Sequence, residues 1–208
     1  MTTKYLLANT IVFLTNNRIP AIHNIEWFAD NDIFQLDEML QDSVFSNNYV
    51  NVITSELTIT IVSNHITIDL KKTSNAEILI KKHINPFLSK IRESVNAIGI
   101  NFIWKIIDEE RSINKFSKNL FGEGKTCLSS IFTHADASFG AYMSQSYDDT
   151  TRMKLDVKPV KFTETEDGIL ASFNFHYDKS DNLEDDLSQL CKWSEMSKKA
   201  EEIVCLMK

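Results

Sequence analysis

Cysteine is scarce in this chain, and the pattern does not suggest a cross-linked or metal-bound scaffold. The 208 residues include three cysteines, Cys127, Cys191 and Cys205, which are widely separated and outside any C-x-x-C spacing. Such a set is typical neither of a disulfide framework nor of a zinc site. We therefore predict reduced thiols, a cytoplasmic location, no metal and no cofactor.

Long hydrophobic runs are lacking too. No stretch approaches the roughly 18 to 20 apolar residues that a membrane-spanning helix needs. Lys4 precedes an apolar run over residues 5–14 that superficially resembles a signal peptide, but Asn9 and Thr10 interrupt it and no small-x-small cleavage site follows. The sequence therefore predicts neither a membrane span nor a cleaved leader.

Positive charge is also in short supply. The chain carries 22 basic and 29 acidic residues, which give a formal net charge of −7. Binding along a nucleic-acid backbone needs a basic face that displaces counterions, so this balance disfavours nucleic acid as a partner. The hydrophobic fraction of 43% and the charged fraction of 25% are those of an ordinary globular protein.

The clearest positive signal is a β-hairpin. Residues 57–61 and 66–70 alternate apolar and polar side chains, which is typical of strands with one buried face. A two-residue turn at residues 63–64 places Ile61 opposite Ile66, whereas a one-residue slip puts threonine opposite isoleucine throughout. The alternation therefore predicts the register as well as the strands.

A helix is predicted after this hairpin. Ser74 and Glu77 fit the S-x-x-E capping box at its start. Pro86 lies inside the helical run, so we expect a kink there or a restart with Asn85 as the cap. The apolar stripe recurs at steps of three and four and comprises Ile80, Ile84, Phe87, Leu88, Ile91 and Val95.

Further strands and helices complete the layout. Residues 98–107 are apolar on both faces and predict a central covered strand, and the same argument predicts an interior strand over residues 4–15. A surface helix is expected over 108–120, and a long helix closes the chain from near Asp181. Alternation predicts three more strands, over residues 137–146, 152–160 and 169–177.

These elements predict an α+β fold with mainly antiparallel sheet and helices packed on one side. We expect a single compact domain over residues 1–208. The alternative is a two-part organisation, about 1–120 and 121–208, in which each β-rich half carries a helix.

One short segment imitates a phosphate-binding loop. It ends in Gly124-Lys125-Thr126, but the full G-x-x-x-x-G-K-S/T motif requires glycine at position 119, where this chain has Asn119. A weaker hypothesis remains, in which these three residues and the start of a following helix attract a carboxylate or phosphate. The alternative is a glycine-rich turn between surface elements.

Two His-x-Asp triplets are the only plausible catalytic constellation. Alternate residues of a strand share a face, so His134 with Asp136, and His176 with Asp178, can each present an imidazole beside a carboxylate. Against this role, both aspartates also fit turns. Metal sites usually need three or more converging ligands, and each triplet supplies two.

The closing helix supplies the candidate interaction residues. Its apolar stripe includes Trp193, Met196, Ile203 and Met207, and such a stripe either closes the core or docks onto a second copy of the chain. Cys191 and Cys205 lie near this stripe and are interpreted as packing residues.

The lack of catalytic motifs, the five glycines and the acidic balance favour a non-enzymatic protein-interaction component. We expect a subunit, adaptor or inhibitor of a bacterial or phage system, with a protein partner or self-association. One alternative is a metal-dependent hydrolase or nuclease that uses the His-x-Asp pairs. The other is a binder of small anions at residues 124–126.

Overall fold

The chain folds around one antiparallel sheet. A computed structural model describes residues 1–16, 22–122, 124 and 130–208. Across these residues the strands form a nine-stranded sheet in the order β2-β3-β4-β5-β1-β6-β9-β8-β7. Their bounds are β1 Thr2–Thr15, β2 Val44–Phe45, β3 Val50–Ile53, β4 Leu57–Ile61, β5 His65–Leu70, β6 Val95–Asp108, β7 Ala141–Ser146, β8 Arg152–Lys161 and β9 Asp167–Asp178.

Helices occupy the connections between strands and the end of the chain. The α-helices are α1 Ile25–Asp30, α2 Ala76–Leu79, α3 Asn85–Ile91, α4 Ile113–Ser117, α5 Leu183–Cys191 and α6 Trp193–Leu206. Short 3₁₀ turns lie at Leu36–Glu38 and Arg92–Ser94, and wide π-helical turns at Ile80–Ile84 and Lys118–Gly122. The predicted α+β class with an antiparallel sheet is confirmed.

The predicted hairpin register is also confirmed. Leu57 pairs with Leu70, Ile59 with Ile68, and Ile61 with Ile66. The three apolar residues of β4 and their three partners in β5 are buried, whereas the intervening residues are at least partly exposed. Burial of one face alone therefore selects this pairing over a one-residue slip.

The helical stretch from Ala76 to Ile91 differs from the sequence expectation at its start. Asn75, and not Ser74, is the N-cap of α2, and its side chain makes no capping bond. The amide of Asn75 donates instead to the Glu56 carboxylate. The predicted capping box is therefore wrong, because a residue distant in sequence recruits the polar side chain at the helix start.

Pro86 is accommodated by a wide turn. The chain stays helical before it through the π turn Ile80–Ile84, where the N–H of Asn85 donates to the carbonyl of Ile80 five residues earlier. The helix α3 then restarts at Asn85 with Pro86 in its first turn. Proline lacks an N–H and crowds the preceding turn, which explains why the regular hydrogen-bond pattern widens just ahead of it.

The predicted closing helix is two helices. Asn182, and not Asp181, caps α5, since its side chain accepts from the N–H groups of Glu184 and Asp185. At Lys192 the chain leaves α5, and α6 begins at the next residue.

Two compact units emerge from the distribution of contacts. The first unit comprises residues 1–8, 102–175 and 197–208, and the second comprises residues 9–101 and 176–196. The strands β1, β6 and β9 each have residues assigned to both units. The observed division is therefore discontinuous in sequence.

Aromatic side chains fill the core of the second unit. Phe13, Phe28 and Phe87 are fully buried. The rings of Phe28 and Phe87 stack with centroids 5.9 Å apart, and the ring of Phe13 lies 6.5 Å from that of Phe87. In the first unit, Phe102 and Phe175 meet edge to face at 6.1 Å. Burial of each of these phenylalanine side chains contributes about 1.5–3 kcal/mol to the free energy of unfolding.

The helices of the described chain are short. None of them is long and apolar enough to cross a membrane.

Candidate functional site

The two His-x-Asp triplets form separate local pairs. His134 Nδ1 lies 2.7 Å from Asp136 Oδ1, and both side chains are almost fully exposed. His176 Nε2 lies 3.7 Å from Asp178 Oδ1, with the aspartate at the exposed end of β9. Among the residues that the structure describes, no group of three or more metal-ligating side chains occurs. The first pair is therefore solvated, and the second joins a partly buried histidine to an exposed aspartate.

The candidate anion loop falls mostly outside the described residues. Lys125 and Thr126 are not described, and neither is Cys127. Gly124 adopts a φ of 65°, the left-handed conformation that glycine takes without strain. The structure thus supports a turn at this glycine and provides no geometry for an anion site.

The apolar stripe of the closing helices is mostly core. Trp193, Met196 and Met207 are buried, and Ile203 is half-buried. The indole Nε1 of Trp193 donates to Asn9 Oδ1 at 3.0 Å, which fixes this side chain inside the second unit. Only Ile203 of the four interaction candidates remains accessible.

The free thiols of Cys191 and Cys205 are exposed, so interpreting them as packing residues is wrong.

Strand β7 at the edge of the sheet is a surface that the sequence did not identify as functional. It is the last strand in the sheet order, and its residues are exposed or half-buried along its whole length. Its six residues, Ala141 to Ser146, include no charged residue and no proline. Natural proteins usually protect an edge strand with lysine, proline or a bulge, because its unpaired backbone groups attract other strands. β7 carries neither of these two residue types.

The opposite edge of the sheet is constructed differently. Strand β2 has two residues, Val44 and Phe45, and a strand that short presents little backbone for pairing. The Oγ of Ser43 beside it accepts from the Ile53 N–H at 2.9 Å. The edge strand β2 is therefore only two residues long, whereas the edge strand β7 has six uncharged residues.

An apolar groove lies against β7 within the first unit. Its volume is about 270 Å³, and its lining includes Met143 of β7, Met153 and Leu155 of β8, and Ile203 of α6. Met143 pairs with Leu155 in the sheet and is 43% exposed. One helical turn beyond Ile203, Leu206 is 80% exposed. The edge strand thus combines an outer edge that no other described strand pairs with and an accessible apolar groove.

A second candidate site, in the second unit, is organised by a buried histidine. The helix α1 ends in a Schellman turn, in which Asp32 has a φ of 55° and the N–H of Ile33 donates to the carbonyl of Phe28 at 2.9 Å. His83 Nδ1 lies 2.6 Å from the carbonyl oxygen of Ile33. A carbonyl only accepts, so Nδ1 carries the proton and Nε2 of the neutral ring is an acceptor.

His83 lines a cavity of about 330 Å³, which we call the His83 cavity. The ring is 5% exposed and lies against Phe34, with ring centroids 4.8 Å apart. The apolar lining includes Phe34, Leu57 and Leu79, and the charged lining consists of Asp37, Glu38 and Glu56. The described lining therefore carries three carboxylates and no lysine or arginine.

The three carboxylates of the His83 cavity differ in their partners. Glu38 receives the N–H of Gln35 at 2.8 Å and the Nζ of Lys82 at 2.7 Å, and Glu56 receives the amide of Asn75. Partial burial raises the pKa of Glu38, but the bonds from Lys82 and Gln35 outweigh this effect and hold the pKa below its ordinary value. Asp37 is exposed and accepts no hydrogen bond from the described residues.

Sequence reasoning missed His83 because its neighbours are charged. The run Lys81-Lys82-His83 reads as a solvated helix face, yet His83 is buried while both lysines are exposed. The signal that points to it is Pro86, since the wide turn that this proline imposes occupies Ile80–Ile84 and so includes the histidine.

No protein-family model matches the chain, and no curated protein matches its sequence significantly. The functional argument therefore depends on the sites themselves.

Proposed function

We propose that this chain is a non-enzymatic protein-interaction component that binds an extended segment of a partner protein along β7. The observation that carries the proposal is an uncharged edge strand of six residues beside an apolar groove. In strand addition, backbone hydrogen bonds supply affinity, and pockets for alternate side chains supply specificity. β7 offers both elements on one edge.

The chemistry of the partner segment follows from the groove. Met143, Leu155 and Ile203 are apolar, so the segment has an apolar side chain at the position that faces them. The next side chain of an added strand points to the other face, beside Tyr142, which is 66% exposed. The partner segment is therefore extended, with alternating side chains and little charge. A subunit, adaptor or inhibitor role in a bacterial or phage system fits this mode of binding.

The exposed free thiols of Cys191 and Cys205 support a reducing compartment, and we propose a cytoplasmic location on that basis.

Site-specific photocrosslinking in the native host tests the proposal. A photoreactive residue at Gln145 of β7 is expected to give a discrete adduct with one protein, whereas the same residue at Asp69 of β5 gives none. An adduct with a second copy of the chain identifies self-association. The proposal is wrong if both positions give the same set of adducts.

A pair of lysine variants separates the groove from the strand as a whole. Met143→Lys places a charge in the groove and is expected to abolish the Gln145 adduct. Tyr142→Lys adds the same charge on the opposite face of β7, away from the groove lining, and is expected to retain it. Thermal melting of both variants checks that the fold is intact. Equal crosslinking by the two variants would contradict a role for the groove.

A further inference from the structure

The His83 cavity contains an acceptor that the fold leaves unused. His83 is only 5% exposed, and its Nδ1 donates to the carbonyl of Ile33. Its Nε2 has no hydrogen-bond partner among the described residues, and it is the polar atom that the ring can offer to the cavity it lines. Nε2 is not among the described polar atoms that are both sealed from solvent and unpaired, so it faces accessible space, where a ligand or water can satisfy it.

The charge of the lining selects the sign of a ligand. Asp37, Glu38 and Glu56 line the cavity, while two ammonium groups lie against it, that of Lys82 on Glu38 and that of Lys71 on the carbonyl of Thr54. Three carboxylates against two ammonium groups leave a net negative charge, which attracts a cation and repels an anion. Lys82 neutralises Glu38 from the rim of a smaller neighbouring cavity. Asp37 has no such partner in the described chain, so its charge remains available.

The volume of the cavity and its apolar lining indicate the size of the ligand and the nature of its uncharged part. Phe34, Leu57 and Leu79 provide an apolar surface, and a volume of about 330 Å³ falls at the lower end of the range for small-molecule sites, roughly 300–1,000 Å³. An ammonium group has three N–H donors and a guanidinium five, which suits a site composed of a ring nitrogen and carboxylate oxygens.

We propose that the His83 cavity binds an organic cation, namely an ammonium or guanidinium group on an apolar stem. Asp37 supplies the unpaired negative charge, Nε2 of His83 accepts one N–H, and the apolar lining holds the stem. The cation is either a free small molecule or the lysine or arginine side chain of a partner. The site lies entirely within the second unit and includes no residue of β7.

Titration with a matched pair of ligands tests this site. Butylguanidinium and its neutral isostere butylurea are titrated against the full chain by calorimetry at low salt. We expect heat of binding from butylguanidinium alone. Equal binding of both ligands, or binding of neither, overturns the proposal.

Two charge variants assign the binding to the cavity. Asp37→Asn removes an exposed and unpartnered charge, so the fold is retained, and it is expected to weaken butylguanidinium binding about two- to fivefold. Asp69→Asn removes the same charge from an exposed position on β5 outside the cavity and is expected to leave the affinity unchanged. Equal weakening by both variants indicates non-specific attraction and overturns the proposal.

Nitrogen NMR of the histidine rings provides the second readout. The chain has five histidines, and two-bond correlations in ¹⁵N-labelled protein report both nitrogens of each ring. Butylguanidinium is expected to shift the Nε2 resonance of His83 and to leave the other four rings unchanged. A His83 resonance that does not move overturns the proposal.

The source of the cation is distinguished by a third ligand. N-acetylarginine N-methylamide carries the same guanidinium within a peptide-like frame. Tighter binding of this compound than of butylguanidinium assigns the cavity to an arginine of a partner protein, and weaker binding assigns it to a free small cation. The Met143→Lys variant is expected to bind butylguanidinium like the unmodified chain, so the β7 proposal and this one fail independently.

Discussion

Buried polar residues, considered one at a time, join segments that are far apart in the chain. Arg92 Nε donates to Asp186 Oδ2 at 2.9 Å, and both side chains are largely buried. The same arginine donates to the carbonyl of Ser180 at 2.8 Å, while the N–H of Ser180 donates to Asp186 Oδ1 at 2.9 Å. Each charge is thus satisfied by the other and by backbone groups, which is the condition for tolerating buried ions.

Removing one partner of this pair is expected to destabilise the fold strongly. Arg92→Met leaves the Asp186 carboxylate buried without its counter-ion, and the expected loss is about 3–5 kcal/mol in the free energy of unfolding. Lys158→Met is the matched control, because Lys158 pairs with Asp156 at 3.2 Å in an exposed position and such pairs contribute about 1 kcal/mol or less. Urea denaturation of both variants measures the difference. Similar losses would contradict the account of Arg92.

Such residues also mark the limit of prediction from sequence at this scale. The predicted capping box of Ser74 and Glu77 does not form, and Asn75 at the helix start bonds to Glu56, 19 residues away. Arg92 bonds to Asp186 at a separation of 94 residues. His83 likewise depends on Ile33, 50 residues earlier. A local pattern carries no information about such partners, so the core face of the helix could be predicted and its polar contacts could not.

Strands and helices differ in how well the sequence predicts them. The register of β4 and β5 follows from alternation alone, because a slip exposes isoleucine, and the structure has the predicted pairs. The break at Lys192 between α5 and α6 could not be predicted, since the apolar stripe continues across it from Leu190 to Trp193 and Met196. Periodicity thus indicates which face is buried and does not indicate where a helix is interrupted.

The edge position of β7 predicts its exchange behaviour. Amide hydrogens of residues 141–146 on the outer side are unpaired in the described chain, whereas those of β4 are held between β3 and β5. Hydrogen exchange followed by mass spectrometry is therefore expected to label β7 peptides well before β4 peptides. Binding of the proposed partner slows exchange in β7. Equal protection of the two strands in the isolated chain would show that β7 is not a free edge.

The stability of the whole molecule depends on pH through three side chains of the described residues that have shifted pKa values. For Asp108, burial raises the pKa, but hydrogen bonds from Arg111 and from the N–H of Glu110 outweigh it and lower the pKa, as Lys82 does for Glu38. Both carboxylates stabilise the fold above their unfolded pKa, about 4, and this contribution is lost as pH falls through their folded pKa. Tyr177 affects the stability at high pH. Burial raises its pKa well above its ordinary value, and the negative charge of Asp186 raises it further.

A buried tyrosine with a raised pKa destabilises the fold in alkali. Its contribution is fully present below its unfolded pKa, about 10, and is lost as pH rises from there toward the folded pKa, because only the unfolded chain ionises. Tyr177→Phe removes this loss, so we expect a smaller decline in stability above pH 10 than for the unmodified chain. Urea denaturation between about pH 8 and 11 measures how the free energy of unfolding of the two proteins declines with pH.

The control for this prediction is the stability at neutral pH. The Tyr177 hydroxyl donates to the carbonyl of Asp186 at 3.4 Å, a long bond, so the phenylalanine variant is expected to lose about 1 kcal/mol or less at pH 7. Parallel alkaline curves for the two proteins would contradict the role of Tyr177.

The division of the molecule into two discontinuous units bears on how the chain is synthesised. The first unit combines residues 1–8 with residues 102–175 and 197–208, so its segments leave the ribosome at widely separated times. During translation, the opening half of β1 leaves the ribosome well before most of its native neighbours in that unit. Native packing of that unit therefore follows the synthesis of residues 197–208, and until then the nascent polypeptide exposes strand edges that a chaperone is suited to shield.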